Sequence, residues 1–214
     1  MTMTDLATPA PGRTRRNRGS EIVRDALVEA GIAAFAAHGF TGASTRAIAE
    51  AADAHQSQVG YHFASKDELW RRCVEQLLDE LDDEFDATVG DTDDPGVAIT
   101  GMFRGIVRFA ARRPELSRIL LHESLVPSNR LEWLVEHHTG ERHDALRDLW
   151  AELGELGVTA PIDPDLVYHA LVGAASVLYA SAPEAQRMGI DVDDPGLRER
   201  HVAALRAMFV PGLR

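Results

Sequence analysis

Apolar positions recur along this chain at helical spacing in segment after segment, and the segments are punctuated by Ser, Asp, Gly and Pro. Ser20 is the expected N-cap of a first helix over about 21–38. Ile22, Ala26, Leu27, Ala30, Ala33, Ala34 and Ala37 form its apolar stripe. Gly39 should end it in a left-handed C-cap, with Phe40 folding back and Phe35 beside it in the core. A short second helix opens at Thr45 behind Ser44 and turns Ile48, Ala49 and Ala52 inward. A third carries Val59 and Phe63 at the same spacing. Ser65-Lys66-Asp67-Glu68 is a capping box that starts a fourth helix running to about Val89. Its apolar face is Leu69, Trp70, Cys73, Val74, Leu77, Leu78, Leu81 and Phe85. About 24 residues at about 1.5 Å each make a rod of about 36 Å, long enough to join two domains.

Beyond the turn at 91–96 the same reasoning places helices at about 97–111, 114–126, 130–156, 165–180 and 196–209. The helix over 130–156 is expected to break at Thr139-Gly140. The segment 165–180 is apolar nearly all round through Val167, Leu171, Val172, Val177, Leu178 and Tyr179. Gly173, Ala174, Ala175 and Ser176 sit in its middle, so it should be buried on more than one side. The fold class is all-α.

Two short helices joined by a tight turn, after a longer one, describe a helix-turn-helix, which lays its second helix in the major groove of DNA. The outward residues of that helix suit the task. His55, Gln56, Ser57 and Gln58 donate and accept hydrogen bonds, and Gln pairs bidentately with adenine. Tyr61, His62 and Lys66 suit phosphate oxygens; at the start of the preceding helix Thr45 faces the DNA backbone, and Arg46 is either a phosphate or base-edge contact or a solvated surface charge. The elements Phe35-x3-Gly39-Phe40, Thr45-Arg46-x-Ile48-Ala49, Tyr61-His62-Phe63 and Ser65-Lys66-x-Glu68-x-Trp70 resemble the tetracycline-repressor (TetR-like) family of bacterial transcription regulators. The resemblance covers about residues 20–72. Asp53 stands where the family usually carries Gly in the turn, and His55 where it carries a Ser-like cap. Gly60 interrupts the recognition helix.

The resemblance implies a homodimer, with the two C-terminal helices (165–180 and 196–209) of each subunit forming a four-helix interface. It also implies a palindromic double-stranded DNA operator and a small-molecule effector whose binding releases the DNA. The expected domains are a disordered basic arm over 1–19, a DNA-binding domain over 20–66 and a ligand-binding and dimerisation domain over 67–214. Arg13, Arg15, Arg16 and Arg18 make the arm either a solvated tail or a DNA contact.

Charge changes the picture only through its distribution. The net charge of −12 argues against DNA binding until it is divided along the chain. Residues 1–72 hold nine Lys and Arg against eight Asp and Glu, and residues 73–214 hold 13 against 26. The acidity therefore lies outside the proposed reader. One cysteine, Cys73, excludes an internal disulfide and suits a reducing compartment. No secretory signal is recognisable, and the longest nearly apolar run, 170–182, is too short to span a bilayer. A cytoplasmic protein without membrane contact is the expectation.

Candidate ligand residues of the second domain are Met102, Phe103, Phe109, His122, Glu123, Trp133, His137, Trp150 and Tyr168, around a small and largely apolar effector. Glu123 is expected to pair with His122. His138 and His143 are five apart and share no helix face, so neither a metal site nor a cofactor is expected. No nucleophile elbow or phosphate-binding Gly loop is present, so an enzyme is not expected. The competing reading is a helical ligand-binding module or enzyme with a vestigial helix-turn-helix. DNA binding that weakens with salt would separate the two.

Overall fold

The computed structural model describes residues 11–92 and 94–213, with the side chains of 11–18 and of residue 95 outside that description. Within these residues the chain is helical without strands: α1 Pro11–Gly42, α2 Thr45–Ala51, α3 Gln56–His62, α4 Lys66–Val89, α5 Pro95–Arg112, α6 Pro114–Ser124, α7 Asn129–Leu134, a π turn over Val135–Thr139, α8 Gly140–Glu155, α9 Pro164–Ala180, α10 Ala182–Arg187 and α11 Pro195–Phe209. Three of them open with the same dipeptide. Asp94, Asp163 and Asp194 each cap the helix behind them by accepting from the backbone N–H two residues on, at 2.8, 3.1 and 2.8 Å. The proline after each Asp lacks the N–H that would otherwise be orphaned there. The N–H bonds on the Asp194 carboxylate hold its pKa below the usual range.

Two compact units result, one through Cys73 and one from Val74. The first is packed by Leu27, Val28, Ile32, Phe35 and Ala36 of α1, Ile48 and Ala49 of α2, Val59 of α3, and Phe63, Leu69, Trp70 and Cys73. Gly31 makes this possible. A Cβ there would stand 2.8 Å from Cys73 Sγ and 3.5 Å from Leu69 Cδ1. The Cys73 thiol donates to the Val28 carbonyl at 3.4 Å, and burial pushes its pKa far up, which leaves it chemically inert. The second unit holds a large cluster of buried residues. Ile99, Phe103 and Val107 of α5, Trp150 and Leu153 of α8, Val167, Leu171 and Tyr179 of α9, and Leu205 and Phe209 of α11 form its centre.

Several expectations change. The first helix starts at Pro11, not near Glu21, so the stretch 11–19 is helix rather than disordered arm, and Ser20 is not a cap. Arg is a good helix former and Pro is at ease in the first position, so the Arg run extends the helix backwards. Residues 1–10 of the expected arm, and the side chains of Arg13, Arg15, Arg16 and Arg18, lie outside the described residues. The stripe of α1 is also turned. Ile22 is 63% exposed, and Ala33 and Ala37 face solvent, while Ile32, Phe35 and Ala36 go inside. Gly39 leaves helical geometry at φ 64° and ψ 177°, a region essentially reserved for glycine. α10, six residues long, is an element the periodicity does not predict, since Pro183 and only one buried residue, Ala185, give it little signal. The expected break at Thr139-Gly140 is the end of the π turn. There a Cβ on residue 140 would meet the Val135 carbonyl at 2.6 Å.

Candidate nucleic-acid interface

The turn between α2 and α3 decides how the second helix is presented. α2 is capped by Ser44, whose hydroxyl lies 3.5 Å from the Ala47 N–H. It ends where the Ala54 N–H reaches the Ala49 carbonyl at 2.9 Å. Between them Asp53 takes φ 50°, the only described residue other than glycine with a positive φ. Left-handed backbone costs most side chains about 1–2 kcal/mol, less for Asp, which explains why Asp stands where Gly would be easier.

α3 then begins behind His55. Its N–H donates to the Gln58 side-chain carbonyl at 2.8 Å, the reciprocal half of a capping box. Gln58 is therefore half-buried and engaged with its own helix. Val59 and Phe63 point inward. One turn of geometry later the opposite face carries Gln56, Ser57, Gly60 and Tyr61, all exposed, with Tyr61 at 77%. His55 and Arg46 are exposed beside it, whereas Thr45 and His62 are half-buried. The Tyr61 and His62 rings meet edge-on at 4.9 Å. Lys66 differs from expectation in having an internal role. Its ammonium sits 4.6 Å above the Phe40 ring, tying the start of α4 to the end of α1. The box that starts α4 reaches one residue further than usual, since Glu68 accepts from the Ala64 N–H at 2.7 Å while Ser65 accepts from Glu68 at 3.1 Å.

In the second unit the nine candidate ligand residues separate. Phe103, Phe109 and Trp150 are buried, and the Phe209 ring lies 6.2 Å from Phe103 and 6.0 Å from Trp150. Met102 packs half-buried on the same cluster. These are core, because helix-spaced aromatics satisfy one another before they line a space. His122 is exposed and does not pair with Glu123. Neighbours in a helix point apart. The buried Glu123 instead accepts from the Ser128 hydroxyl and, at 3.1 Å, from Arg130 Nε. Tyr168 is half-buried with its hydroxyl pKa raised by burial, and its ring meets that of His143 at 5.7 Å. Trp133 stacks on His137, centroids 5.6 Å apart. A cavity of about 350 Å3 in this unit is lined by Asp82, His137, His138, Glu141, Arg142 and Ala145. Of the nine candidates only His137 lines it. Asp82, His138, Glu141 and Arg142 were missed, since nothing in their spacing joins α4 to α8.

No described helix is long and apolar enough to cross a membrane. Among the described residues no group of three or more His, Cys, Asp or Glu is arranged to hold a metal ion.

Comparison with known proteins bears on the first unit most directly. Residues 27–73 match the family model described as bacterial regulatory proteins, tetR family. That span opens at Leu27, a fully buried residue of α1, and closes at Cys73. The HTH-type transcriptional regulator RutR of Escherichia coli strain K12 is 27% identical over 221 residues, covering 99% of each chain. The HTH-type transcriptional repressor SCO4008 of Streptomyces coelicolor is 29% identical over 88% of this chain and 96% of its own. Among solved structures, the ketosteroid transcriptional regulator KstR2 of Mycobacterium tuberculosis superposes with a TM-score of 0.68 at 22% identity, over 87% of this chain and 94% of that one. At that identity the likeness speaks for the fold alone. The helix-turn-helix geometry and the family match over it agree: residues 27–73 are similar to the DNA-binding domain of the tetR family of bacterial regulatory proteins, and the all-helical body has the fold of solved regulators of that kind.

Proposed function

We propose that the protein is a repressor that holds a two-fold-symmetric DNA operator as a homodimer and releases it when a small molecule occupies the second unit. The observation that carries the reading is the face of α3. Gln56 and Ser57 stand exposed on it, with Tyr61 and Arg46 as flanking phosphate partners, and no acidic residue lies on α3. Such a face offers base-edge hydrogen bonds without repelling phosphate. One helix of seven residues reads few base pairs, and a second subunit doubles the site at a spacing of about 34–36 Å.

The dimer reading rests on α9. Its inner side is Val167, Leu171, Ala175 and Tyr179, yet Leu166 and Val177 remain 61% and 55% exposed. Ala170 and Gly173 lie between them on the same stripe. On α11 Met208 is 52% exposed. A stripe at i, i+4, i+7 and i+11 with small residues in the middle is what two helices need to approach closely. Release by ligand is a population shift. The ligand favours a conformer whose two α3 helices no longer fit successive grooves, and it binds the DNA-bound form more weakly by the same factor.

The test is selection from random duplexes by the full-length protein, then titration of the winning sequence at several salt concentrations. A palindromic site, two subunits per site and a falling affinity with salt are the expected results. Enrichment of no sequence, or binding by a monomer, would overturn the reading.

A further inference from the structure

Nothing inside the chain accounts for Gly60. Its φ is not positive, and a Cβ built on it meets nothing within 4 Å. Other glycines of this unit have a reason in the fold. The missing Cβ of Gly31 would stand 2.8 Å from Cys73 Sγ, and Gly39 takes φ 64°. Gly60 sits instead inside a helix of seven residues, where glycine is the weakest choice after proline. A local rule broken without a structural return points to function.

Position shows which function. At about 100° per residue, the exposed residues of α3 follow one another around its axis in the order Gln56, Gly60, Ser57, Tyr61. Gly60 therefore lies within the arc that carries the reading side chains. That arc is long at both ends and nearly bare in the middle. The Ser57 hydroxyl is carried on Cβ itself, so it reaches a base edge only where the helix backbone comes close. A side chain at position 60 would hold the backbone off, and glycine lets it in. No acidic residue lies on α3, and Arg46 is exposed beside it, so a polyanion can come that close.

We propose that Gly60 is a positioning residue for DNA recognition. Lacking a side chain, it lets α3 seat deep enough in the major groove of duplex DNA for Gln56 and Ser57 to reach base edges. This role rests on the proposed function and deepens it.

The experiment uses the full-length protein and two duplexes, the operator found by selection and a random-sequence duplex of the same length. Gly60→Ala and Gly60→Leu introduce good helix formers, and each variant should melt about 2–4 °C above the parent. Operator affinity should nevertheless fall, about tenfold for alanine and about a hundredfold for leucine, because each added carbon presses on a filled contact. Affinity for the random duplex at low salt comes from phosphate contacts and should stay within about twofold. In a Gln56→Ala background Gly60→Ala should cost only about threefold, since a contact that the glycine permits is already gone. Unchanged operator affinity would overturn the proposal. So would an equal loss on both duplexes, a full tenfold loss in the Gln56→Ala background, or variants that melt below the parent, which would give the glycine a role in folding. A parent protein that prefers no sequence would instead overturn the proposed function, and this role with it.

Discussion

The outward face of α3 and the inward faces of α5 and α8 use their larger side chains for opposite ends. On α3 only Val59 and the adjoining Phe63 are spent on packing, and Gln56, Ser57 and Tyr61 are left in solvent. On α5 and α8 the aromatics Phe103, Phe109 and Trp150 are all inside, and Phe103 and Trp150 meet Phe209 of α11. A reader of DNA must keep hydrogen-bonding groups exposed, so its function is written in residues that contribute little to folding. The second unit spends its large residues on packing, and the polar groups that line its cavity gather at an irregular turn. The residues that look most like a binding site from their chemistry are, in that unit, the ones least free to bind.

Truncating the second unit's core tests this contrast with the largest effect. Phe103→Ala should destabilise the protein by about 3–5 kcal/mol in a urea unfolding curve, since a fully buried ring leaves a cavity behind. Tyr61→Ala, on the exposed face, should stay within about 0.5 kcal/mol of the parent. A Phe103→Ala loss below about 1 kcal/mol would mean that the ring lines a space and does not fill one.

The same substitution at two glycines sharpens the comparison further. Gly31→Ala puts a methyl 2.8 Å from Cys73 Sγ in a packed core and should cost about 1–3 kcal/mol. Gly60→Ala meets nothing within 4 Å and should stabilise α3 by about 1 kcal/mol. Paired thermal melts read the opposite signs, and equal signs would refute the packing argument. A Gly60→Ala variant that is more stable yet binds operator less well would show the helix backbone pressed against DNA.

Legibility in the sequence divides along the same line. Local chemistry announced itself: Ser44 and Ser65 cap where expected, Gly39 turns out of the helix, and α4 begins and ends at the expected residues. Failures came where contrast was low. Alanines occur all round α1, so they cannot say which side is buried, and the bulkier Ile32 and Phe35 are the better guides. The Arg run before Gly19 reads as a polar tail by composition, although each Arg favours helix. The π-turn cavity was out of reach, because Asp82 and His138 meet only through packing of α4 against the later helices. Gly140 was its one local sign. Gln56 and Gln58 look alike in sequence, yet the Gln58 carbonyl caps His55.

That last difference gives a third prediction. Gln56→Ala should relax the operator preference at one symmetric base position by about 1–3 kcal/mol in a competition assay. Gln58→Ala should instead cost about 1 kcal/mol of stability by removing the cap, with preference largely kept. Loss of preference in the Gln58 variant and not in the Gln56 variant would reverse the two roles.

The smallest effect concerns the turn that aims α3. Asp53 holds φ 50° in solvent, so the cost of its backbone is not repaid by burial of its side chain. Glycine takes that geometry without strain, but it also loosens the unfolded chain by about 0.4–1 kcal/mol, so Asp53→Gly should gain only about 0.5 kcal/mol. Alanine lacks the short polar side chain that eases Asp into this region, and Asp53→Ala should lose about 1 kcal/mol. The expected order of melting temperatures is therefore Gly above Asp above Ala. An exposed helix-side position would give the reverse for Gly and Ala, because there alanine is favoured by about 1 kcal/mol. An alanine variant as stable as the glycine one would mean that the turn does not need left-handed backbone. The presentation of α3 would then have to be explained by its packing through Val59 and Phe63 alone.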